Sequence, residues 1–183
     1  LKQTVYYLPI LESARGVLNA PLIAMASKNI IGLAMGLEDY TADIGTSRTL
    51  AGKESLFARS MVVNAACAAH IQPLDSVFSD ISDEASLRNM VREARALGFV
   101  GLGCIHPRQI RPIHDEFTPS PEEIDKAMLI VIAAEEAAAK GLGVVAVGSK
   151  MVDAPVVLRA EHTIQMAINS GALANDWKKE TLQ

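Results

Sequence analysis

Short apolar runs alternate with longer stretches of helical spacing along this chain. The first run is Thr4 to Leu11, with Val5, Tyr6, Tyr7, Leu8 and Ile10; the second is Ile30 to Met35. Runs of this length, bounded by turn residues, read as buried parallel strands. Between them, Ala20, Ile23, Ala24 and Ala26 give an apolar face to a helix from about Asn19 to Ser27. A loop with Thr41, Gly45, Thr46 and Ser47 follows the second run. Glu54 to His70 then carries Leu56, Phe57, Met61, Val62, Ala65 and Ala69 at helical spacing. A third strand is expected from Leu74 to Phe78 and a fourth from Phe99 to Ile105. The helix between them starts at an Asp83 N-cap and stops at Gly98. Ser120-Pro121-Glu122-Glu123 is a helix start, with a Ser cap, Pro in the first turn and a capping-box Glu. That helix ends at Lys140-Gly141. Gly143 to Val147 is a short apolar segment, a last helix runs from about Pro155 to before Gly171, and the polar tail from Asn175 to Gln183 is expected to be loose.

Strand–helix alternation predicts right-handed βα units on a parallel sheet. Four such units make half of a (β/α)₈ barrel, which usually needs about 250 residues. The expected fold is therefore the C-terminal half of a TIM barrel, with an open doubly wound sheet as the alternative. Residues 1–142 supply the βα units, 143–174 a C-terminal lid and helix, and 175–183 the tail. A chain that opens on Leu1, directly before a strand, reads as a piece of a longer protein.

Composition narrows the picture. Half of the 183 residues are hydrophobic and 21% are charged, which fits a packed core and excludes a disordered chain. The net charge is −4 and there is no basic block, so nucleic-acid binding has no electrostatic footprint. No apolar run approaches a membrane span. Cys67 and Cys104 lack metal-ligand spacing and are expected to be reduced and buried in a cytoplasmic protein.

The candidate chemistry lies at the ends of the first two strands. The first run ends at Glu12 and the second leads to Glu38-Asp39. In an α/β barrel the carboxyl ends of strands face the active site. Carboxylates from adjacent strand ends suit a hard cation such as Mg²⁺, which prefers oxygen ligands and keeps several waters. Alternatively, Glu12 caps one helix and Asp39 starts another.

Several segments together resemble the citrate lyase β subunit family. They are Leu11-Glu12-Ser13-Ala14-Arg15-Gly16, Gly36-Leu37-Glu38-Asp39-Tyr40-Thr41-Ala42-Asp43-Ile44-Gly45, Phe57-Ala58-Arg59-Ser60, Ile105-His106-Pro107-Arg108-Gln109-Ile110, Phe117-Thr118-Pro119-Ser120-Pro121-Glu122-Glu123-Ile124 and Lys150-Met151-Val152-Asp153-Ala154-Pro155-Val156. In order and spacing they cover the chain from Leu8 to about Gly171.

That resemblance implies a barrel of the phosphoenolpyruvate/pyruvate type, related to malyl-CoA and citramalyl-CoA lyases. It implies Mg²⁺ held by Glu12 and Asp39, and cleavage of a β-hydroxyacyl thioester to an acetyl thioester and a 2-oxo acid. Glu12 also belongs to the substrate site, and His106 and Pro107 are expected to contact CoA or its pantetheine arm. Asp153 is the implied proton donor, delivered over a neighbouring subunit; an N-cap for the last helix is its simpler role. The implied partners are a CoA or acyl-carrier-protein thioester, further copies of the chain in a trimer or a multiple of one, and other citrate lyase subunits. Glu38 is read as a substrate contact or a structural residue, Asp43 as a loop residue, Asp80 and Asp83 as structural, and His70, His114 and His162 as surface residues. The fourth strand departs from the family, with Gly101-Leu102-Gly103-Cys104 where many members carry a Gly-Lys pair. Two other readings are a class II aldolase that releases pyruvate from a 4-hydroxy-2-oxo acid, and a non-catalytic fragment or assembly subunit.

Overall fold

The computed structural model describes residues 3–147 and 150–178. It divides into two compact units, Leu1–Phe117 and Thr118–Gln183. The Pro121 helix falls in the second unit.

The first unit is built on four parallel strands in sequential order: β1 (Ile10–Leu11), β2 (Gly32–Met35), β3 (Gln72–Asp75) and β4 (Gly101–Leu102). The register pairs Leu11 with Met35, Leu33 with Pro73 and Asp75 with Leu102. The strands are shorter than their apolar runs. Pro9 has no N–H to give to a ladder, so the first run pairs at Tyr7, through Tyr7 N–H to Asn29 O, and resumes at Ile10. β1 and β4 are the two lateral strands of this sheet. Tyr6, Tyr7, Leu8 and Ile10 on and before β1 are exposed.

Among the described residues, six α-helices and a 3-10 turn link and follow these strands. The single helix expected from Asn19 is two: α1 (Ala14–Leu18) and α2 (Ala20–Ala24). Ser13 starts α1 by accepting from Gly16 N–H at 3.1 Å, and the Asn19 side chain donates to Arg15 O at the junction. The expected loop after β2 begins instead with a helix, α3 (Leu37–Asp43), in which the Thr41 hydroxyl bonds back to Leu37 O. α4 (Leu56–Ala68) turns Ala58, Arg59, Val62, Val63, Ala65 and Ala66 inward, while Leu56 and Phe57 are exposed, against expectation. α5 (Glu84–Leu97) matches its signals. Asp83 caps it by accepting from Ser86 N–H, and the same bond holds the Asp83 carboxyl below the usual carboxylate range. Gly98 ends it at φ 103°, a left-handed conformation suited to glycine. After β4, a 3-10 turn (Pro107–Gln109) leads into α6 (Ile110–Phe117), which sequence periodicity did not reveal. Arg88 ties α5 to α6 through Asp115 and Glu116.

The second unit pairs α7 (Pro121–Ala139) with α8 (Ala154–Asn169) around a two-stranded antiparallel hairpin, β5 (Val145–Val147) and β6 (Lys150–Val152). α7 has the expected capping box: Ser120 N–H donates to Glu123 and Glu123 N–H donates to the Ser120 hydroxyl. The apolar face of α8 packs within the second unit. Its own chain covers much of that face: Ala160, Ile164 and Val152 pack with Ala127, Ile130 and Val131 of α7 and with Trp177. Trp177 is buried, so the tail is anchored as far as Lys178, which pairs with Glu135. The rest of the expected loose tail, and Leu1 at the chain start, lie outside the described residues.

Both cysteines are free and exposed, which corrects the expectation of burial. His70, His114 and His162 are exposed as expected. No helix among the described residues is long and apolar enough to cross a membrane.

Candidate metal and active site

All four strands of the first unit run in one direction, so their carboxyl ends share one edge of the sheet. Glu12 follows β1, Asp39 lies in the first turn of α3 after β2, Ser76 follows β3, and His106 and Pro107 follow β4. The structure thus brings four of the five predicted site residues to that edge. Asp153, the fifth, is in the second unit.

The turn carrying Glu12 sits against the turn entering α3. Gly36 N–H donates to Leu11 O at 2.9 Å. The Glu12 side chain lies over Gly36: a Cβ on that glycine would come within 2.5 Å of Glu12 Cγ and 2.7 Å of its Oε1. Glycine is therefore the residue that lets the Glu12 carboxylate approach α3. Glu12 and Asp39 are both exposed. The helix-cap reading of Glu12 is not met, because Ser13 caps α1; Asp39 does stand at a helix start.

A further contact joins the two turns. Asp43 is no loop residue: at the end of α3, its Oδ2 accepts from Ala14 N–H at 2.8 Å, across 29 residues of chain. At the other end of α3, the Ser76 hydroxyl accepts from Leu37 N–H at 3.0 Å in a buried bond. Ser76 N–H in turn donates to Asp75 Oδ1 at 2.8 Å, and Asp75 is paired with Arg59 of α4. Glu38 forms an ion pair with Arg48 at 2.8 Å, in keeping with its structural reading.

At β4, His106 caps the 3-10 turn. Its Nδ1 accepts from Arg108 N–H at 3.1 Å, so a neutral ring carries its proton on Nε2. Gln109, fully buried, fastens this segment to the one after β3: its Nε2 donates to Phe78 O and its Oε1 accepts from Ile105 N–H. Asp80, beyond β3, binds the hydroxyl and N–H of Ser82, which hold its carboxyl below the ordinary range. Asp153 caps α8 by accepting from Val156 N–H at 3.3 Å, as its simpler reading predicted. Sequence reading missed Gln109 and the Arg59–Asp75 pair; Arg59 on the apolar face of α4 was the available signal for the pair.

Glu12 and Asp39 suit Mg²⁺ in donor chemistry, with hard carboxylate oxygens in an exposed setting where water or substrate can supply the other ligands. Among the described residues no group of three or more His, Cys, Asp or Glu forms a metal cluster. Mg²⁺ needs none, since one or two protein carboxylates are its usual share. Replacing Gly36 by Ala is expected to push the Glu12 carboxylate aside. Mg²⁺ affinity should fall about tenfold or more, with a change in melting temperature of only a few degrees. Unchanged affinity by titration calorimetry would remove Gly36 from the site.

A parallel βα sheet with Glu12 and Asp39 following adjacent strands at its carboxyl edge defines a class: α/β proteins whose polar groups gather at the carboxyl ends of the strands. The chain belongs to the HpcH/HpaI aldolase/citrate lyase family, whose model matches residues 2–107. It is 42% identical over 164 residues to citrate lyase subunit beta of Leuconostoc mesenteroides subsp. cremoris, covering 90% of this chain and 54% of that protein. It is 33% identical over 175 residues to the mitochondrial citramalyl-CoA lyase of Homo sapiens, covering 91% and 52%. Among solved structures it is similar to the protein CitE of Mycobacterium tuberculosis in complex with magnesium, acetoacetate and coenzyme A. That match has a TM-score of 0.78 and 33% identity, and covers 88% of this chain and 61% of that one. The chain spans about half the length of these curated relatives. The resemblance to the citrate lyase β and citramalyl-CoA lyase group is thereby met, and the parallel α/β sheet corresponds to part of a citrate lyase barrel.

Proposed function

We propose that this chain carries the metal-binding part of a Mg²⁺-dependent carbon–carbon lyase. The enzyme cleaves a citryl, citramalyl or malyl thioester into an acetyl thioester and a 2-oxo acid. The observation that supports this best is the approach of Glu12 over Gly36 toward the helix that bears Asp39. When bound, Mg²⁺ would supply Lewis-acid stabilisation of negative charge on the oxo-acid oxygens and a template for them. Glu12 and Asp39 would hold it. The reaction removes a hydroxyl proton, breaks the carbon–carbon bond and returns a proton to the acetyl carbon. Asp153 is the proposed donor of that last proton. His106, with its Nδ1 engaged, offers Nε2–H beside Pro107 to the thioester carrier. The remaining barrel strands, the oligomer and any other citrate lyase subunits belong to the same proposal. The remaining strands are supported by the coverage of about half of each relative.

The test is turnover by the full-length natural protein. Citryl-, citramalyl- and malyl-CoA are each supplied with Mg²⁺, and 2-oxo acid release is followed with and without a chelator. At least one thioester should be cleaved, and the chelator should stop it. Cleavage of 4-hydroxy-2-oxo acids alone would establish the aldolase reading. No cleavage of either class would establish a non-catalytic role.

A further inference from the structure

Asp43 has no evident reason to be where it is if only the stability of α3 is considered. It is the last residue of that helix, where a negative charge opposes the helix dipole. Among the described residues it forms no ion pair. The side-chain hydrogen bond it makes among those residues is long-range: Oδ2 accepts from Ala14 N–H at 2.8 Å. Ala14 opens α1, and its N–H is one of the donors that a helix start leaves unsatisfied. Ser13 takes the N–H of Gly16 and does not serve Ala14. Ala14 is two residues beyond Glu12.

Asp43 also lies four residues beyond Asp39, and residues four apart share a face of a helix. The face of α3 that carries Asp39 is therefore the face that Asp43 docks onto the start of α1. The other end of the same helix is fixed independently, by the Ser76 hydroxyl at Leu37 N–H. One carboxylate turn is thus tied to the other at a point one helical turn below the proposed metal ligands.

We propose that Asp43 is a positioning residue for the metal pair: its hydrogen bond to Ala14 N–H sets the distance and angle between the Glu12 and Asp39 carboxylates. This rests on the reading of those two residues as the metal ligands. The contact needs an acceptor oxygen at the right reach, and it does not need a charge. An amide oxygen accepts an N–H as a carboxylate does, whereas one added methylene moves the acceptor.

The test measures Mn²⁺ binding to the full-length protein by electron paramagnetic resonance, with melting temperature recorded alongside. Asp39→Ala is expected to abolish binding. Asp43→Ala should weaken it roughly tenfold, the scale of loss when an outer partner of a metal ligand is removed. Asp43→Asn should stay within about threefold of the parent, and Asp43→Glu, which keeps the charge, should resemble Asp43→Ala. Unchanged binding in Asp39→Ala would overturn the metal reading and this inference with it. If Asp39→Ala is dead, parent-like affinity in both Asp43→Ala and Asp43→Glu overturns the inference alone. Loss in Asp43→Asn with retention in Asp43→Glu would make Asp43 an ionic contributor or a ligand, and also overturns it. The Asn and Glu variants decide the question even if the Ala variant does not fold.

Discussion

Replacing Asp75 by Ala is expected to destabilise the protein by about 3–5 kcal/mol, the usual loss when a buried ion pair keeps one charge and loses the other. Asp75 is 1% exposed and Arg59 is 4% exposed. The Arg59 guanidinium donates from Nε to Asp75 Oδ2 at 3.0 Å and from Nη2 to the same oxygen at 2.5 Å. Its carbon centre lies 5.9 Å from the centroid of the Phe99 ring. Removing the carboxylate leaves this cation, among the described residues, with Glu93 at 3.8 Å on an exposed side chain. It also strips Ser76 N–H of its acceptor. In urea titrations of the full-length protein, the midpoint should fall sharply with the slope unchanged. The double variant Arg59→Met with Asp75→Leu should recover a large part of the loss, because no lone charge is then buried. Asp75→Ala within about 0.5 kcal/mol of the parent would show that the pair does not support the sheet. Glu38→Ala is the contrast: its bond to Arg48 is exposed, and such pairs contribute about 0–1 kcal/mol.

Asp39→Ala should reverse that pattern, with a large loss of activity and little loss of stability. The side chain is exposed and belongs to no core cluster, so its removal should cost less than about 1 kcal/mol, chiefly from a first-turn acid favoured by the helix dipole. If the carboxylate is half of the protein's hold on Mg²⁺, its removal takes away several kcal/mol of charge stabilisation in the cleavage step. That corresponds to at least about a thousandfold lower turnover. The measurement is 2-oxo acid release at saturating Mg²⁺, with circular dichroism melts on the same preparations. Retained Mg²⁺-dependent turnover in Asp39→Ala would refute the metal assignment.

The asymmetry between these two variants shows what the chain made legible. Carboxylates at strand ends are readable because the apolar runs stop there and the parallel order follows from strand–helix alternation. Caps are readable because their partners lie three residues away, as at Ser120–Glu123, Asp83–Ser86 and Asp153–Val156. The extent of α3 was not legible, although Asp39 was one candidate helix start, because seven residues are too few to show a period and Thr41, Gly45, Thr46 and Ser47 read as a loop. α6 escaped for the same reason of length, with Pro112 inside its eight residues. β6 was not anticipated, because Lys150-Met151-Val152 has no apolar run of its own.

By itself, then, the sequence determined the order of the βα units, the parallel sheet, the ends of the longer helices and the placing of Glu12, Asp39, His106 and Pro107 at one edge. These are consequences of local periodicity and of hydrogen bonds that span three or four residues. Tertiary structure alone decided which polar groups meet across the fold: Arg59 with Asp75, Ser76 with Leu37, Gln109 with Phe78, and Asp43 with Ala14. It also decided that α7 covers α8 and that Trp177 completes their core. Partners separated by 16 to 39 residues leave no trace in a local pattern. Their meeting depends on strand register and helix packing, which bring polar groups into reach only after the apolar surfaces have closed.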